Sequence, residues 1–215
     1  MKGILMKPWG IQATVELRKT VTRRCNQLKE INKEPDKWEY MRTLNDGSFL
    51  FWVKADDPEL DIDKRTKLIK PRYQVGDTVY IKEAWQSLGN KENIVYKMDG
   101  ESKLIWDING KHGEEIVRKW RSPLFMPEWA ARHFIKITGV RAERVQEITE
   151  DDAIKEGITD DYCMVPHCEE DERIGRYDIC YVDAYRRLWD SINPSYPFES
   201  NPWDFRYEYK YQGGK

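Results

Sequence analysis

The fold and the chemistry of this chain depend on one short stretch, Arg18-Lys19-Thr20-Val21-Thr22-Arg23-Arg24. Its β-branched residues predict a strand from residue 20 to residue 24. Because side chains alternate along a strand, Thr22 and Arg24 would share one face and Arg23 would lie on the other. The stretch therefore places a hydroxyl, an amine and guanidinium groups together. Such a set is typical of an activated nucleophile or of a phosphate-binding surface.

Charge is distributed unevenly around this stretch. The 215 residues carry a formal net charge of -2, which excludes a uniformly basic nucleic-acid binder. Residues 1–24 nevertheless hold six Lys or Arg and a single acid, Glu16, whereas residues 149–172 hold ten acids and a single base, Lys155. The asymmetry indicates a basic cleft on an acidic body, although solvated acidic loops are the alternative for residues 149–172.

The longest apolar runs are short. Residues 3–6 are too few for the core of a signal peptide, and residues 49–53 are too few to span a bilayer. The four cysteines are consistent with free thiols in a reducing compartment. We expect a soluble cytoplasmic protein without a membrane partner.

Strands dominate the pattern outside this stretch. Helices are predicted from Ile11 to Lys19, at 149–156 with Thr149 as N-cap and Gly157 as terminator, and at 179–192. Strands are predicted at 3–6, 20–24, 78–85, 93–98, 103–107, 134–141 and 203–211. No βαβ rhythm is present, so the order favours an α+β fold with a small mixed barrel and flanking helices. We predict one domain over 1–215, with insertions at about 25–74 and 159–178.

Three motifs together resemble one family. They are the stretch at 18–24, the turn Val75-Gly76-Asp77 and the helix that ends in Glu156. This set is similar to the ASCH family, which has a PUA-like β-barrel and includes small bacterial acetylcytidine amidohydrolases. The resemblance implies that Lys19, Thr22 and Glu156 are the catalytic residues. Leu17 departs from it, since those enzymes carry glycine at that position.

A larger phage and prophage group of ASCH-like proteins resembles more of the chain. The similarity covers nearly all of it outside residues 25–70 and 159–178. It is carried by Tyr80-Ile81-Lys82-Glu83-Ala84-Trp85, Met126-Pro127-Glu128-Trp129-Ala130, Ile137-Thr138-Gly139-Val140-Arg141, Leu188-Trp189-Asp190-Ser191-Ile192-Asn193 and Asn201-Pro202-Trp203. The group implies the same fold.

Two functions are compatible with these residues. A threonine hydroxyl needs an adjacent base, a buried lysine can serve as that base, and a carboxylate can orient the pair. This predicts an amidohydrolase acting on an acylated pyrimidine nucleoside or a related small amide. The alternative is a non-catalytic module that binds RNA, DNA or a modified base, with Arg18, Arg23 and Arg24 forming a positive rim. The simplest reading of Lys19, Thr22 and Glu156 is that they are ordinary polar residues.

Two further groups of residues are weaker candidates. Glu83 could read a base edge while Trp85 stacks on the base, although a strand-end acid paired with Lys or Arg is the alternative. A zinc site and free thiols both remain open for a loosely spaced set, Cys163, His167, Cys168 and Cys180. No nucleotide-cofactor fingerprint is present, so no cofactor and no resident metal are predicted.

Overall fold

The computed structural model describes residues 1–54, 65–87, 94–99, 120–159 and 180–214. The fold is α+β and mostly strands, as predicted. The elements, in chain order, are β1 (Lys2–Leu5), α1 (Pro8–Val15), β2 (Val21–Arg24), β3 (Trp38–Thr43), β4 (Phe49–Val53), β5 (Thr66–Ile69), β6 (Thr78–Lys82), β7 (Trp85–Ser87), β8 (Ile94–Tyr96), β9 (His133–Arg144), α2 (Glu150–Lys155), α3 (Tyr181–Ile192) and β10 (Trp203–Gly214). The strands form open sheets, and no closed barrel is found among the described residues, so the barrel prediction is not confirmed. Within those ranges no helix combines the length and the apolar composition that a membrane crossing requires.

Two compact units divide the chain. The first contains Met1–Glu16, Thr78–Lys136 and Tyr211–Lys215, and the second contains Leu17–Asp77 and Ile137–Lys210. The division into units does not test the sequence-based expectation of one domain over 1–215, which therefore stays a prediction.

The first unit is built on β6. This strand pairs in parallel with β1 and antiparallel with the beginning of β9. Its apolar residues Val79 and Ile81 are fully buried. The predicted strand at 78–85 ends early because the backbone N–H of Glu83 turns to Met126 Sδ, at 3.3 Å, and the chain begins a separate hairpin of β7 and β8. The predicted strand at 103–107 lies outside the described residues.

The second unit contains β2, which pairs antiparallel with β10, and β10 in turn pairs with β9. The 25–74 segment adds a three-stranded sheet of β3, β4 and β5. That sheet contacts β10 through two aromatic pairs, Phe49 with Phe205 and Phe51 with Trp203, with ring centroids 5.1 and 5.3 Å apart. This predicted insertion is therefore part of the unit's core. Of the predicted insertion at 159–178, only residue 159 is described.

Helices α2 and α3 contribute a second apolar cluster to the second unit. Its buried members are Cys25, Val145, Ile148, Ala153, Ile158, Ala184, Tyr185, Trp189 and Phe198. The predicted N-cap of α2 is confirmed, since Thr149 Oγ1 accepts a hydrogen bond from the backbone N–H of Asp152 at 3.2 Å. Gly157 follows the helix with a φ of 93°, a conformation that glycine adopts without a steric cost. These caps fix the position of Glu156.

The start of β10 is held by a side chain from the 25–74 segment. Asn32 is buried, its Nδ2 donates to Trp203 O at 2.8 Å, and its Oδ1 accepts from the Trp203 backbone N–H at 2.8 Å. The amide thus satisfies both backbone groups of Trp203, as a neighbouring strand would.

We expect Asn32→Ala to lower the free energy of unfolding by roughly 1–3 kcal/mol, because it leaves buried backbone groups without partners. Urea unfolding measures the change. Asn26→Ala is the matched control, since Asn26 is exposed in a neighbouring turn and its loss should cost little. Equal unfolding midpoints for the two variants would contradict the predicted role of Asn32.

Candidate functional site

Lys19 and Glu156 are in direct contact within the second unit. The Lys19 Nζ donates to the backbone carbonyl of Glu156 at 2.6 Å and also to its carboxylate Oε2. The side chains are buried, with 5% and 4% of their surface exposed. The backbone N–H of Thr20 donates to Lys155 O at 2.9 Å, which holds the end of α2 beside the start of β2. Two positions separated by 137 residues are thereby brought together.

Burial changes the protonation equilibrium of Lys19. It lowers the pKa of Lys19, although the adjacent Glu156 carboxylate acts in the opposite direction, and the nearby Arg24 charge lowers it further. The shift moves the amine toward its neutral form. A lysine in this environment can act as a proton acceptor, which an exposed lysine at neutral pH cannot do.

Thr22 lies on β2 and is 1% exposed. Its Oγ1 has no hydrogen-bond partner among the described residues. The structure therefore brings Lys19 and Glu156 into contact, and it leaves the Thr22 hydroxyl unbonded to either of them. Across the strands, Thr22 pairs with Tyr207 of β10.

Arg23 is buried inside the second unit and does not lie on the positive rim that the sequence predicted. It forms ion pairs with Asp204 at 3.2 Å and with Glu143 at 2.8 Å. The prediction that Arg23 lines an exposed positive rim is wrong, because strand alternation turns its side chain toward carboxylates of β9 and β10. Of the three predicted rim arginines, Arg18 is exposed and Arg24 is half-buried.

The carboxylates around Arg23 belong to a buried ionic network that the sequence analysis missed. Arg206 pairs with Asp152 at 2.7 Å and with Glu208 on its own strand. The sequence signal was the alternation of Asp204, Arg206 and Glu208 with the aromatic residues of β10. Such alternation normally indicates a solvent-facing side, but here α2 covers it.

Protonation in this network follows burial. Burial raises the pKa of Asp204 to about 7, against the opposing charge of Arg23 and with the support of Glu143. Burial alone would lower the pKa of Arg23, but Asp204, Tyr185, Glu156 and Glu143 outweigh it and raise that pKa. Glu156 is therefore close enough for its charge to act on Arg23 as well as on Lys19.

The turn Val75-Gly76-Asp77 precedes β6 and is one of the three motifs of the resemblance. Its backbone is hydrogen-bonded to β9 within the second unit. The Gly76 backbone N–H donates to Ile137 O at 2.9 Å, and the Ile137 N–H donates to Asp77 O at 2.9 Å. Asp77 Oδ2 accepts from the Gln74 backbone N–H at 3.0 Å. Gly76 has a φ of 91°, which suits glycine. The motif thus has a structural role in anchoring the turn.

Leu17 stands next to the basic stretch in an unusual conformation. Its φ is 62°, in the left-handed region, and its side chain is 66% exposed. This is the position at which the resembling enzymes carry glycine. The backbone therefore adopts a conformation that glycine favours, although the residue is leucine.

Glu83 and Trp85 lie in the first unit and are already occupied. Glu83 is buried, and both its oxygens accept from Arg132, at 2.9 and 2.8 Å. Trp85 is buried with its ring centroid 5.5 Å from that of Trp129 and 4.9 Å from the Arg121 guanidinium. The cation pairing that was the alternative for Glu83 is observed. Neither side chain has a surface open to a base.

The structure describes only Cys180 of the four residues considered for zinc, since Cys163, His167 and Cys168 lie outside the described residues. The Cys180 Sγ accepts a hydrogen bond from the Asp183 backbone N–H at 3.3 Å and so caps α3. In the part of the chain that is described, no three His, Cys, Asp or Glu side chains are grouped to hold a metal ion.

We expect Leu17→Gly to raise the free energy of unfolding by about 1 kcal/mol, because it removes the left-handed strain and loses only an exposed side chain. Leu17→Ala is the matched control, since alanine retains the strain and should not stabilise the protein. Chemical denaturation compares the three proteins. A Leu17→Gly variant no more stable than Leu17→Ala would show that residue 17 is unstrained.

We expect Asp204→Asn to match the wild type in stability at about pH 4 and to exceed it at pH 8. Between the unfolded and the folded pKa values, the Asp204 carboxyl keeps its proton in the folded protein and has lost it in the unfolded chain. The wild type therefore loses stability as the pH rises from about 4, the unfolded value, to about 7. The difference should be on the order of a few kcal/mol. Denaturant unfolding at both pH values measures it.

Asp151→Asn is the control for this pH series, because Asp151 is exposed and its ion pair with Lys155 lies on the surface. A neutral side chain at Asp151 should leave the pH slope of stability unchanged. If Asp204→Asn were the less stable protein at pH 8, the ion pair with Arg23 would dominate over burial, and the raised pKa would be wrong.

No family model, no curated protein and no solved structure matches this chain. The function must therefore be inferred from the side chains of the site.

Proposed function

We propose that this protein is an amidohydrolase that acts on an acylated pyrimidine nucleoside or a related small amide. The observation that carries the proposal is the buried contact of Lys19 with Glu156. These are two of the three positions that the resemblance to the ASCH family assigns to catalysis, and they meet across 137 residues of sequence. A PUA-like fold for the chain belongs to the same proposal.

Stability alone is a poor explanation for this contact. Removing both charges from water costs several kcal/mol per ion, and replacing a buried ion pair by apolar residues is often neutral or stabilising. A buried lysine with a lowered pKa beside a carboxylate is instead a common feature of catalytic sites.

The pair can supply the base that a threonine nucleophile needs. Burial lowers the pKa of Lys19, which favours the neutral amine that can accept a proton. The Thr22 oxygen then attacks the carbonyl carbon of the amide and forms a C–O bond, while its proton passes to Lys19 Nζ. The carbonyl electrons move to the oxygen and form a tetrahedral intermediate.

The same protons complete the reaction. The intermediate collapses as the C–N bond breaks, and the leaving nitrogen takes a proton from the Lys19–Glu156 pair. Water then attacks the threonine ester, gives its proton to the pair, and releases the acid and the Thr22 hydroxyl. Overall, the amide and water become an acid and an amine. The positive charge of Arg24 favours this chemistry because it helps to keep Lys19 neutral.

A non-catalytic module that binds RNA, DNA or a modified base is the second candidate. The exposed guanidinium of Arg18 and the half-buried one of Arg24 favour it, since both lie on the basic stretch at residues 18–24. Phosphate contacts by such residues would give binding that weakens steeply with salt.

The test of the amidohydrolase is cytidine release from acetylcytidine. We expect Thr22→Ala to abolish most of the activity of the wild type, whereas the matched control Thr20→Ala should retain it. Lys19→Met should lower kcat by roughly 100- to 10,000-fold, the range for loss of a general base. Circular dichroism and thermal unfolding establish that each variant is folded.

Equal rates for the wild type and a folded Thr22→Ala variant would eliminate the amidohydrolase. In that case, binding of a single-stranded oligonucleotide at several salt concentrations tests the second candidate. Arg24→Ala should weaken such binding, while neutralising an acid at residues 169–172 should not. Salt-independent binding would contradict it.

A further inference from the structure

Two buried hydroxyls lie side by side on β2 and β10. Thr22 and Tyr207 are partners in the antiparallel register, with 1% and 0% of their surfaces exposed. Directly opposed residues share a face of the sheet, with β-carbons about 4.5–5.5 Å apart. The two side chains are therefore neighbours on the same face.

Both hydroxyl oxygens are without a hydrogen-bond partner among the described residues. An unsatisfied buried polar group costs roughly 1–3 kcal/mol, and native proteins retain few of them. Phenylalanine would fill the space of Tyr207 without this cost. The pair of vacant hydroxyls therefore indicates a polar group from outside the chain.

The surroundings of Tyr207 favour a donor role for its hydroxyl. Its ring is fixed by an edge contact with Tyr73, with centroids 5.3 Å apart. Burial raises the pKa of Tyr207, although the backbone N–H groups of Tyr73 and Arg72 lie near its oxygen and act in the opposite direction. These groups are donors, so the phenol proton itself has no acceptor among the described residues. The phenol keeps its proton at neutral pH, so it can donate a hydrogen bond.

We propose that Tyr207 is a catalytic residue that donates a hydrogen bond to the acyl oxygen of the substrate while Thr22 attacks the adjacent carbon. The proposal rests on the proposed amidohydrolase function and adds the group that holds the oxyanion. Glu156 Oε1 is also buried without a hydrogen-bond partner among the described residues, and in this proposal it contacts the leaving amine. The three vacant atoms correspond to the three needs of amide hydrolysis: a nucleophile, a proton carrier and an oxyanion donor.

Tyr207→Phe tests this role because it removes one oxygen atom and leaves the ring. The variant should fold with a thermal midpoint equal to or above that of the wild type, since the lost hydroxyl was unsatisfied. With acetylcytidine, kcat should fall by roughly 100- to 1,000-fold, the cost of losing one oxyanion donor, and KM should rise because the variant also loses the hydrogen bond to the acyl oxygen of the bound substrate. Tyr209→Phe is the matched control, because Tyr209 is buried on the same face of β10 and should retain activity.

Binding gives a readout that does not require turnover. Acetylcytidine should raise the thermal midpoint of Tyr207→Phe less than that of the wild type. Cytidine, which lacks the acyl oxygen, should raise both midpoints equally. A wild type that shows this pattern but releases no cytidine would contradict the proposed hydrolysis and uphold the contact between Tyr207 and the acyl oxygen.

Three results would overturn the role of Tyr207. The first is a Tyr207→Phe variant with wild-type kcat. The second is equal stabilisation of both proteins by acetylcytidine, which would mean that the hydroxyl binds only buried water. The third is a wild type that neither nucleoside stabilises.

Discussion

Strand β10 is buried on both of its faces between Trp203 and Tyr207, and the second unit is organised around this constraint. One face carries Trp203, Phe205 and Tyr207, which pack against the aromatic side chains of the 25–74 segment and the Tyr73 ring. The other carries Asp204 and Arg206, which cannot reach water and so require charged partners. An apolar core and an ionic network therefore form on opposite sides of one strand.

The ionic side explains the position of α2. Arg206 binds Asp152 in that helix, and the main-chain bond from Thr20 to Lys155 holds the end of the helix at β2. Glu156 follows directly and meets Lys19. The buried lysine is a consequence of this docking, since an acid at the end of a differently placed helix would remain in water. The site thus depends on β10 through its charged neighbours.

The aromatic side explains the vacant hydroxyls. Thr22 pairs with Tyr207 because the β2–β10 register aligns them, and both hydroxyl oxygens are buried without a hydrogen-bond partner among the described residues. A register shifted by one residue would place Arg23 opposite Tyr207 and send Thr22 to the ionic side. The proposed nucleophile and the proposed oxyanion donor are therefore both positioned by the same register.

The sequence by itself determined the periodic elements and the reactive residue types. β-Branched residues predicted β2, alternation predicted β10, and Thr149 and Gly157 predicted the ends of α2, because propensity, periodicity and caps are local properties. The resemblance named Lys19, Thr22 and Glu156, but local patterns could not show their contacts. Only the tertiary structure decided that Arg23 is buried, that Glu83 is bound by Arg132, and that Asp204 and Arg206 form a covered network. Burial of a charged residue depends on which distant element covers its face, and a local sequence pattern carries no record of that element.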